Sequence, residues 1–309
     1  MTNQSTNLHD LRPILVGLDG SANAETAMWW AVDVAVESRR DLRLLMCYSL
    51  PAFVGLGVSA GYVGPMLTSE EIKEADEHHR KVLESVKGKI LEIHPDLKIE
   101  TFLDQGSPVL ALLRASEDVS MIVIGTKGVS AGRALLMGSV SYAIAHRANC
   151  PVMLVPAEST RGVPGKVVVG VDGSKSSMEA ARWALHFAED VHRDLELITA
   201  WHYPYSAMSP EFGVMSGPDI DELRLAMLRD ARKLVNHVKK YLSEEEASKV
   251  SIHAEVIEGS PADALIEHTS PADFLVVGSK GHRLLASILL GSTATGIAHR
   301  SKCPVVIVR

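Results

Sequence analysis

The hydrophobic positions of this chain form short apolar runs that alternate with longer stretches of helical periodicity. Residues 13–18 have the pattern of a buried strand, and Ala27, Trp30, Ala31 and Val34 then fall on one helical face. Further strands are predicted at 42–48, 98–104, 121–125 and 151–155, with helices that start near 69, 107 and 139. Short strands separated by helices predict a parallel sheet that is covered by helices on both faces.

The same pattern occurs twice, with matching blocks separated by 153 residues. VGLDGS at 16–21 returns as VGVDGS at 169–174, GTKG at 125–128 returns as GSKG at 278–281, and CPV at 150–152 returns at 303–305. One register across several blocks indicates a tandem duplication. We therefore predict two domains of one fold, 1–157 and 166–309, joined by a polar linker with Gly and Pro at 158–165.

Composition narrows the class of protein. Hydrophobic residues make up 46% of the 309 residues, which is enough for two packed cores. Lys and Arg number 31 against 38 Asp and Glu, a net charge of −7, which argues against nucleic acid as a partner. The three cysteines provide no disulfide framework, and the first ten residues lack a signal-peptide pattern. We expect a cytoplasmic protein without a membrane-spanning segment.

Candidate chemistry lies in the loops after the first and fourth strands of each repeat. In an open parallel sheet, ligands bind outside the carboxyl ends of the strands where the strand order reverses. The first of these loops contains Asp19, or Asp172 in the second repeat, and the other contains the glycine motifs. Each glycine motif leads after nine residues to a Gly-Ser pair that opens a helix. Glycines and a free helix N-terminus together favour phosphate binding.

The spacing Gly-x2-Gly-x9-Gly-Ser, present in both repeats, resembles the ATP-binding signature of the universal stress protein family. The resemblance covers essentially the whole chain as two tandem domains of the ATP-binding subclass. It implies an α/β fold like that of adenine-nucleotide alpha hydrolases, with two open five-stranded parallel sheets of order 3-2-1-4-5. ATP would lie across the ends of the first and fourth strands.

The resemblance also implies roles for particular residues. Asp19 and Asp172 would lie near the ribose and adenine, and the backbones of Cys47 and Ala200 would meet the adenine ring. The first-strand glycines Gly17 and Gly170 belong to the same predicted sites. Ribose and phosphates would be held by Gly125, Gly128, Gly138, Ser139, Val140 and Ser141, and in the second domain by Gly278, Gly281, Gly291, Ser292, Thr293 and Ala294. Because Ala294 replaces Ser141, we expect weaker phosphate contacts in the second domain.

The implied function is that of an ATP-binding regulatory protein of the stress response, with one nucleotide per domain and no catalytic or metal-ligating residues of its own. A Mg²⁺ ion would be held mainly by the phosphates. The alternatives are a slow ATP hydrolase and a dimerisation module with decayed sites. The last strands, 151–155 and 304–308, would pair edge to edge, joining either the two domains or two chains of a homodimer, and a protein partner would respond to the nucleotide. The dissimilar loops 51–68 and 204–218 are surface variation or lids over the base.

Overall fold

The structure is a computed structural model that describes residues 11–48, 68–128, 137–163, 165–202, 218–245, 250–281 and 290–309. The loops 51–68 and 204–218 were predicted to be either surface variation or lids over the base. Apart from Thr68 and Pro218, they lie outside the described residues. Within the described part of the chain, no helix combines the length and the hydropathy needed to cross a bilayer.

Within the described residues, each repeat contains five strands that alternate with four helices. The first repeat comprises β1 (Ile14–Leu18), α1 (Ala22–Ser38), β2 (Leu42–Tyr48), α2 (Ser69–Ile93), β3 (Ile99–Gln105), α3 (Pro108–Ala115), β4 (Met121–Gly125), α4 (Ser139–Arg147) and β5 (Val152–Val155). The second comprises β6 (Val167–Gly170), α5 (Lys175–Asp190), β7 (Leu195–Trp201), α6 (Pro218–Glu245), β8 (Ile252–Glu258), α7 (Pro261–His268), β9 (Phe274–Gly278), α8 (Ser292–Arg300) and β10 (Val305–Val308). These elements agree with the sequence pattern to within about a residue.

Local capping explains where several helices begin. The hydroxyl of Ser21 accepts the N–H of Ala24 at the start of α1, and Thr68 forms a capping box with Glu71 at the start of α2. Ser107 caps α3, which has a proline in its first turn, and Ser260 caps α7 in the same way. The first turns of these four helices are therefore fixed by short-range hydrogen bonds.

The strands form one ten-stranded sheet of order β3-β2-β1-β4-β5-β10-β9-β6-β7-β8. Each half has the predicted order 3-2-1-4-5, and all pairings within a half are parallel. The two sheets are not separate, because β5 pairs antiparallel with β10, with Met153 opposite Val306. The expected edge pairing thus joins the two domains of one chain, and it satisfies backbone groups that would otherwise be exposed at two edges.

The antiparallel junction determines where the two candidate sites lie. The strands of one half point in the opposite direction to those of the other half. The carboxyl ends of the two halves therefore face opposite ends of the sheet.

Two apolar cores cover the two faces of the sheet. One core packs α1, α2, α5 and α6 against it, and the other packs α3, α4, α7 and α8. Both cores contain residues from the two halves. Within α6, Ala231 and Val238 are buried, whereas Leu223 near the start of the helix is 43% exposed.

Side chains also connect the halves away from the sheet. Trp30 of α1 meets Phe274 of β9 edge to face, with ring centroids 5.0 Å apart. Arg40 forms an ion pair with Asp190 at 2.6 Å. In the predicted linker, Ser159 accepts the indole N–H of Trp30 at 3.0 Å, and Arg161 binds Asp33 through two hydrogen bonds. These contacts and the shared cores make the two repeats one packed body.

Candidate ligand-binding clefts

Two clefts lie at the carboxyl ends of the strands, one in each half. The first lies beyond β1 and β4, with a cavity volume of about 210 Å³, and the second lies beyond β6 and β9, with about 500 Å³. All nine residues predicted for each site line the corresponding cleft. The structure therefore brings together residues that are more than 100 positions apart in sequence.

The loop after the first strand of each half has a fixed conformation. The Oδ1 atom of Asp19 accepts the N–H of Ser21 at 3.0 Å, and Gly20 between them has a φ of +79°. In the second half, Asp172 accepts the N–H of Ser174 at 2.9 Å around Gly173, whose φ is +81°. A glycine adopts this left-handed conformation without the steric cost that a Cβ brings. Both aspartates are thereby held at the rim of their clefts.

The first glycine of each motif, Gly125 at the end of β4 or Gly278 at the end of β9, lies too close to a neighbouring helix for a side chain. A Cβ on Gly125 would lie 3.0 Å from the backbone oxygen of Asn23, and one on Gly278 would lie 2.7 Å from that of Ser176. The second glycine of the motif faces the aspartate, because a Cβ on Gly128 would overlap Oδ2 of Asp19. The glycines thus let two loops from different strands meet.

Asn23 was not predicted as part of the site, although it positions the glycine loop. Its Oδ1 atom accepts the backbone N–H of Lys127 at 2.9 Å, and its Nδ2 atom donates to the carbonyl of Val155 at 2.9 Å. In the second half Ser176 takes this place and accepts the N–H of Lys280 at 3.3 Å. Asn23 and Ser176 occupy matched positions of the two repeats, on helix faces that are otherwise apolar. This repeated polar position is the sequence signal that could have identified them as site residues.

The helices that follow the glycine loops present their N-termini to the clefts. Gly138 precedes α4 without a side-chain cap, and its N–H donates to the carbonyl of Thr126 at 2.7 Å. Gly291 makes the equivalent bond to Ser279 at 2.8 Å before α8. The first N–H groups inside a helix have no intrahelical acceptors, and the helix dipole makes this end positive. The first turns, 139–141 and 292–294, therefore suit an anion.

Ser141 has a structural contact that changes one expectation. Its hydroxyl donates to the carbonyl of Gly125 at 2.8 Å, and its side chain is buried. A hydroxyl has one hydrogen to donate, so this group is not free to donate to a phosphate. The replacement of Ser141 by Ala294 therefore removes a bond within the protein, and it gives no ground for weaker phosphate contacts in the second cleft.

The clefts also contain residues that the sequence did not single out. Lys127 and Lys280, inside the two glycine motifs, line the clefts and place a positive charge in each. The remaining walls are largely apolar; they include Leu45, Pro108, Leu112 and Ile124 in the first cleft and Ile198, Pro261, Leu265 and Val277 in the second. Each cleft thus combines an apolar wall with an electropositive loop, a division that suits a flat heterocycle linked to an anionic group.

Cys47 lies in the first cleft where the second has Ala200. Burial raises the pKa of the Cys47 thiol to about 11. The Asp104 carboxylate adds a smaller increase, which the Arg114 guanidinium opposes only in part. The thiol is therefore protonated at neutral pH and contributes to the cleft as a small, weakly polar surface.

Comparison with known proteins agrees with this architecture. The model of the universal stress protein family matches residues 11–156 and again 165–309. A universal stress protein of Mycolicibacterium smegmatis is 29% identical over 300 residues, and one of Mycobacterium tuberculosis is 28% identical over 306 residues. In both comparisons the match covers 96% of each chain.

Solved structures show the same fold. The crystal structure of a universal stress protein from Archaeoglobus fulgidus superposes with a TM-score of 0.66 at 21% identity, covering 97% of this chain and 99% of that one. The family model accounts for both repeats, and the relatives extend over nearly the full length. The chain therefore belongs to the universal stress protein family, as two tandem copies of its domain.

Proposed function

We propose that the chain binds one ATP molecule in each cleft and that nucleotide occupancy is a conformational or assembly signal in the stress response. The observation that carries this proposal is the duplicated arrangement of an aspartate loop, a glycine loop and an uncapped helix N-terminus around one cleft. A dimerisation module with decayed sites would be expected to lose the site glycines. Both repeats retain them, which argues against that alternative.

The charges support a nucleotide with phosphates. At a net charge of −7 the chain as a whole repels an anion, so binding depends on local groups. The free N–H groups at the start of α4, together with Lys127, would hold the phosphates, and Leu112 and Ile124 would contact the base. In the second cleft α8, Lys280, Leu265 and Val277 would do the same. A Mg²⁺ ion would be held mainly by the phosphates.

Slow ATP hydrolysis is the second candidate, and the observation that favours it is the aspartate in each cleft. Among the described residues, Asp19 is the one carboxylate that lines the first cleft, and Asp172 is the one in the second. Each already accepts a backbone N–H through Oδ1, so one of its two oxygens is engaged within the loop. Sustained release of ADP or AMP above background, with excess ATP and Mg²⁺, would establish this alternative.

Isothermal titration tests the binding proposal directly. We expect about two ATP per chain, falling to about one in Gly138→Asp and in Gly291→Asp, because the added carboxylate repels the phosphates. Asp is a favourable N-cap residue, so these variants retain or slightly increase their thermal stability. Gly138→Ala is the matched control, since its Cβ would lie 3.5 Å from the nearest atom.

Titrations with ADP, AMP and cyclic AMP define the preferred nucleotide. Absence of saturable heat with any of them would refute the proposal.

The proposed domain limits are 1–157 and 166–309, with the linker at 158–165, and the proposed location is the cytoplasm. The pairing of β5 with β10 occupies both strands within the chain. A homodimer formed through strand edges would therefore use β3 or β8, the outermost strands of the sheet. Light scattering with and without ATP measures this assembly and its dependence on nucleotide.

A further inference from the structure

A cluster of three metal-binding side chains lies in the second half, away from the cleft. His268, the last residue of α7, directs Nε2 towards Oε1 of Glu196 on β7, at 3.0 Å, and towards Oε2 of Glu255 on β8, at 3.4 Å. The three potential ligand atoms lie within 4.8 Å of one another. One imidazole and two carboxylates from three different elements thus converge on one point.

A fourth residue holds one of these ligands in place. Lys166, just before β6, forms an ion pair with Oε2 of Glu196, the oxygen that faces away from the histidine. The side chain of Glu196 is 12% exposed. While Lys166 holds Oε2 of Glu196, the second oxygen, Oε1, is directed into the cluster.

We propose that Glu196, Glu255 and His268 form a binding site for a divalent zinc ion. Zinc binds imidazole nitrogen and carboxylate oxygen at about 2.0–2.2 Å with tetrahedral geometry, which places neighbouring ligand atoms about 3.4 Å apart. The observed separations of 3.0 and 3.4 Å from Nε2 are close to this spacing. Three protein ligands leave the fourth position to water. The imidazole ligand disfavours Mg²⁺ and Ca²⁺, which prefer oxygen.

The first repeat provides an internal contrast. At the positions that match Glu196, Glu255 and His268 it has Arg43, Phe102 and Ala115. The zinc site therefore belongs to the second half alone, whereas the clefts occur in both. It would join the edge strand β8 to β7 and to the end of α7, the helix that contributes Pro261 and Leu265 to the second cleft.

Titration of the full chain with ZnCl₂ in the absence of nucleotide tests the site, because no phosphate is then present to hold the metal. We expect one saturable ion per chain and a rise in the thermal midpoint that EDTA reverses. His268→Ala introduces the residue of the first repeat and should weaken zinc binding at least about tenfold. Glu255→Gln should do the same, and Glu255 is half exposed, so this variant is expected to fold normally.

His237→Ala is the matched control, because His237 is an exposed histidine on α6, on the other face of the sheet. It should leave zinc affinity unchanged. Co²⁺ as a spectroscopic substitute should show a visible spectrum without a thiolate charge-transfer band, which separates this site from the cysteines. Absence of saturable zinc binding, or unchanged affinity in both His268→Ala and Glu255→Gln, would show that the cluster is an ion-pair network only.

Discussion

The side-chain amide of Asn23 links two elements that lie more than 100 residues from it, with its oxygen bound to the N–H of Lys127 and its nitrogen bound to the carbonyl of Val155. Val155 ends β5, the strand that pairs with the second half, and Lys127 belongs to the glycine loop of the first cleft. Asn23 thereby connects the first candidate site to the junction between the halves.

Asn23→Ala should therefore lower both stability and ligand affinity. Removing a buried amide leaves its partners unsatisfied, so we expect a loss of about 1–3 kcal/mol in the free energy of unfolding. ATP affinity should fall in the first cleft and stay unchanged in the second. Urea titration and calorimetry measure the two effects. Ser176→Ala is the matched control, with a loss of about 0.5–1.5 kcal/mol, since one weaker hydrogen bond is removed. Unchanged ATP affinity of the first cleft in Asn23→Ala would contradict the positioning role of Asn23.

The first glycine of each motif should be intolerant of a methyl group. A Cβ on Gly125 would lie 2.9 Å from the side chain and 3.0 Å from the backbone oxygen of Asn23 in α1. One on Gly278 would lie 2.7 Å from the backbone oxygen of Ser176 in α5, and a backbone atom cannot rotate away. We expect Gly125→Ala and Gly278→Ala each to cost about 1–3 kcal/mol and to impair only the cleft in its own half. Gly88→Ala is the control, because Gly88 lies within α2 with no atom near its missing Cβ. That variant should gain about 0.5–1 kcal/mol. Normal nucleotide binding by both motif variants would refute this account.

The raised pKa of Cys47 predicts slow alkylation in the native protein. With a pKa of about 11, roughly one thiol in a thousand is ionised at pH 8. The rate of reaction with iodoacetamide should rise about tenfold per pH unit towards pH 11, as the reactive thiolate forms. ATP should protect Cys47 if it fills the first cleft. Mass spectrometry locates the label, and Cys150 and Cys303, which are buried, serve as internal controls. Native alkylation at pH 8 as fast as in urea would contradict the prediction.

The contact between Trp30 and Phe274 predicts that the two halves unfold together. Phe274 packs against Trp30 of the first half and Phe187 of the second, and the guanidinium of Arg193 lies over its ring. Phe274→Ala should cost about 3–5 kcal/mol and shift a single unfolding transition. Calorimetry measures the transition, and Phe102→Ala, at a side chain that is 43% exposed, should shift it far less. Two separate transitions, with only one shifted, would show that the halves fold independently.

The amino-acid sequence by itself determined the order of strands and helices, the duplication and nine of the residues that line each cleft. Apolar periodicity and the spacing of the repeated glycine motifs are properties of the sequence alone, so they can be recognised without the fold. The rule that ligands bind at the carboxyl ends of parallel strands then placed Asp19 and the glycine motifs together.

Only the tertiary structure decided how the repeats join and which side chains support the sites. Sequence left open whether the edge strands join domains or chains, and the pairing of Met153 with Val306 within one chain resolves this. The hydrogen bonds of Asn23, the orientation of the Ser141 hydroxyl and the convergence of Glu196 with His268 also appear only in three dimensions. Each depends on contacts between elements distant in sequence, and their geometry is set by packing of the whole sheet rather than by local pattern.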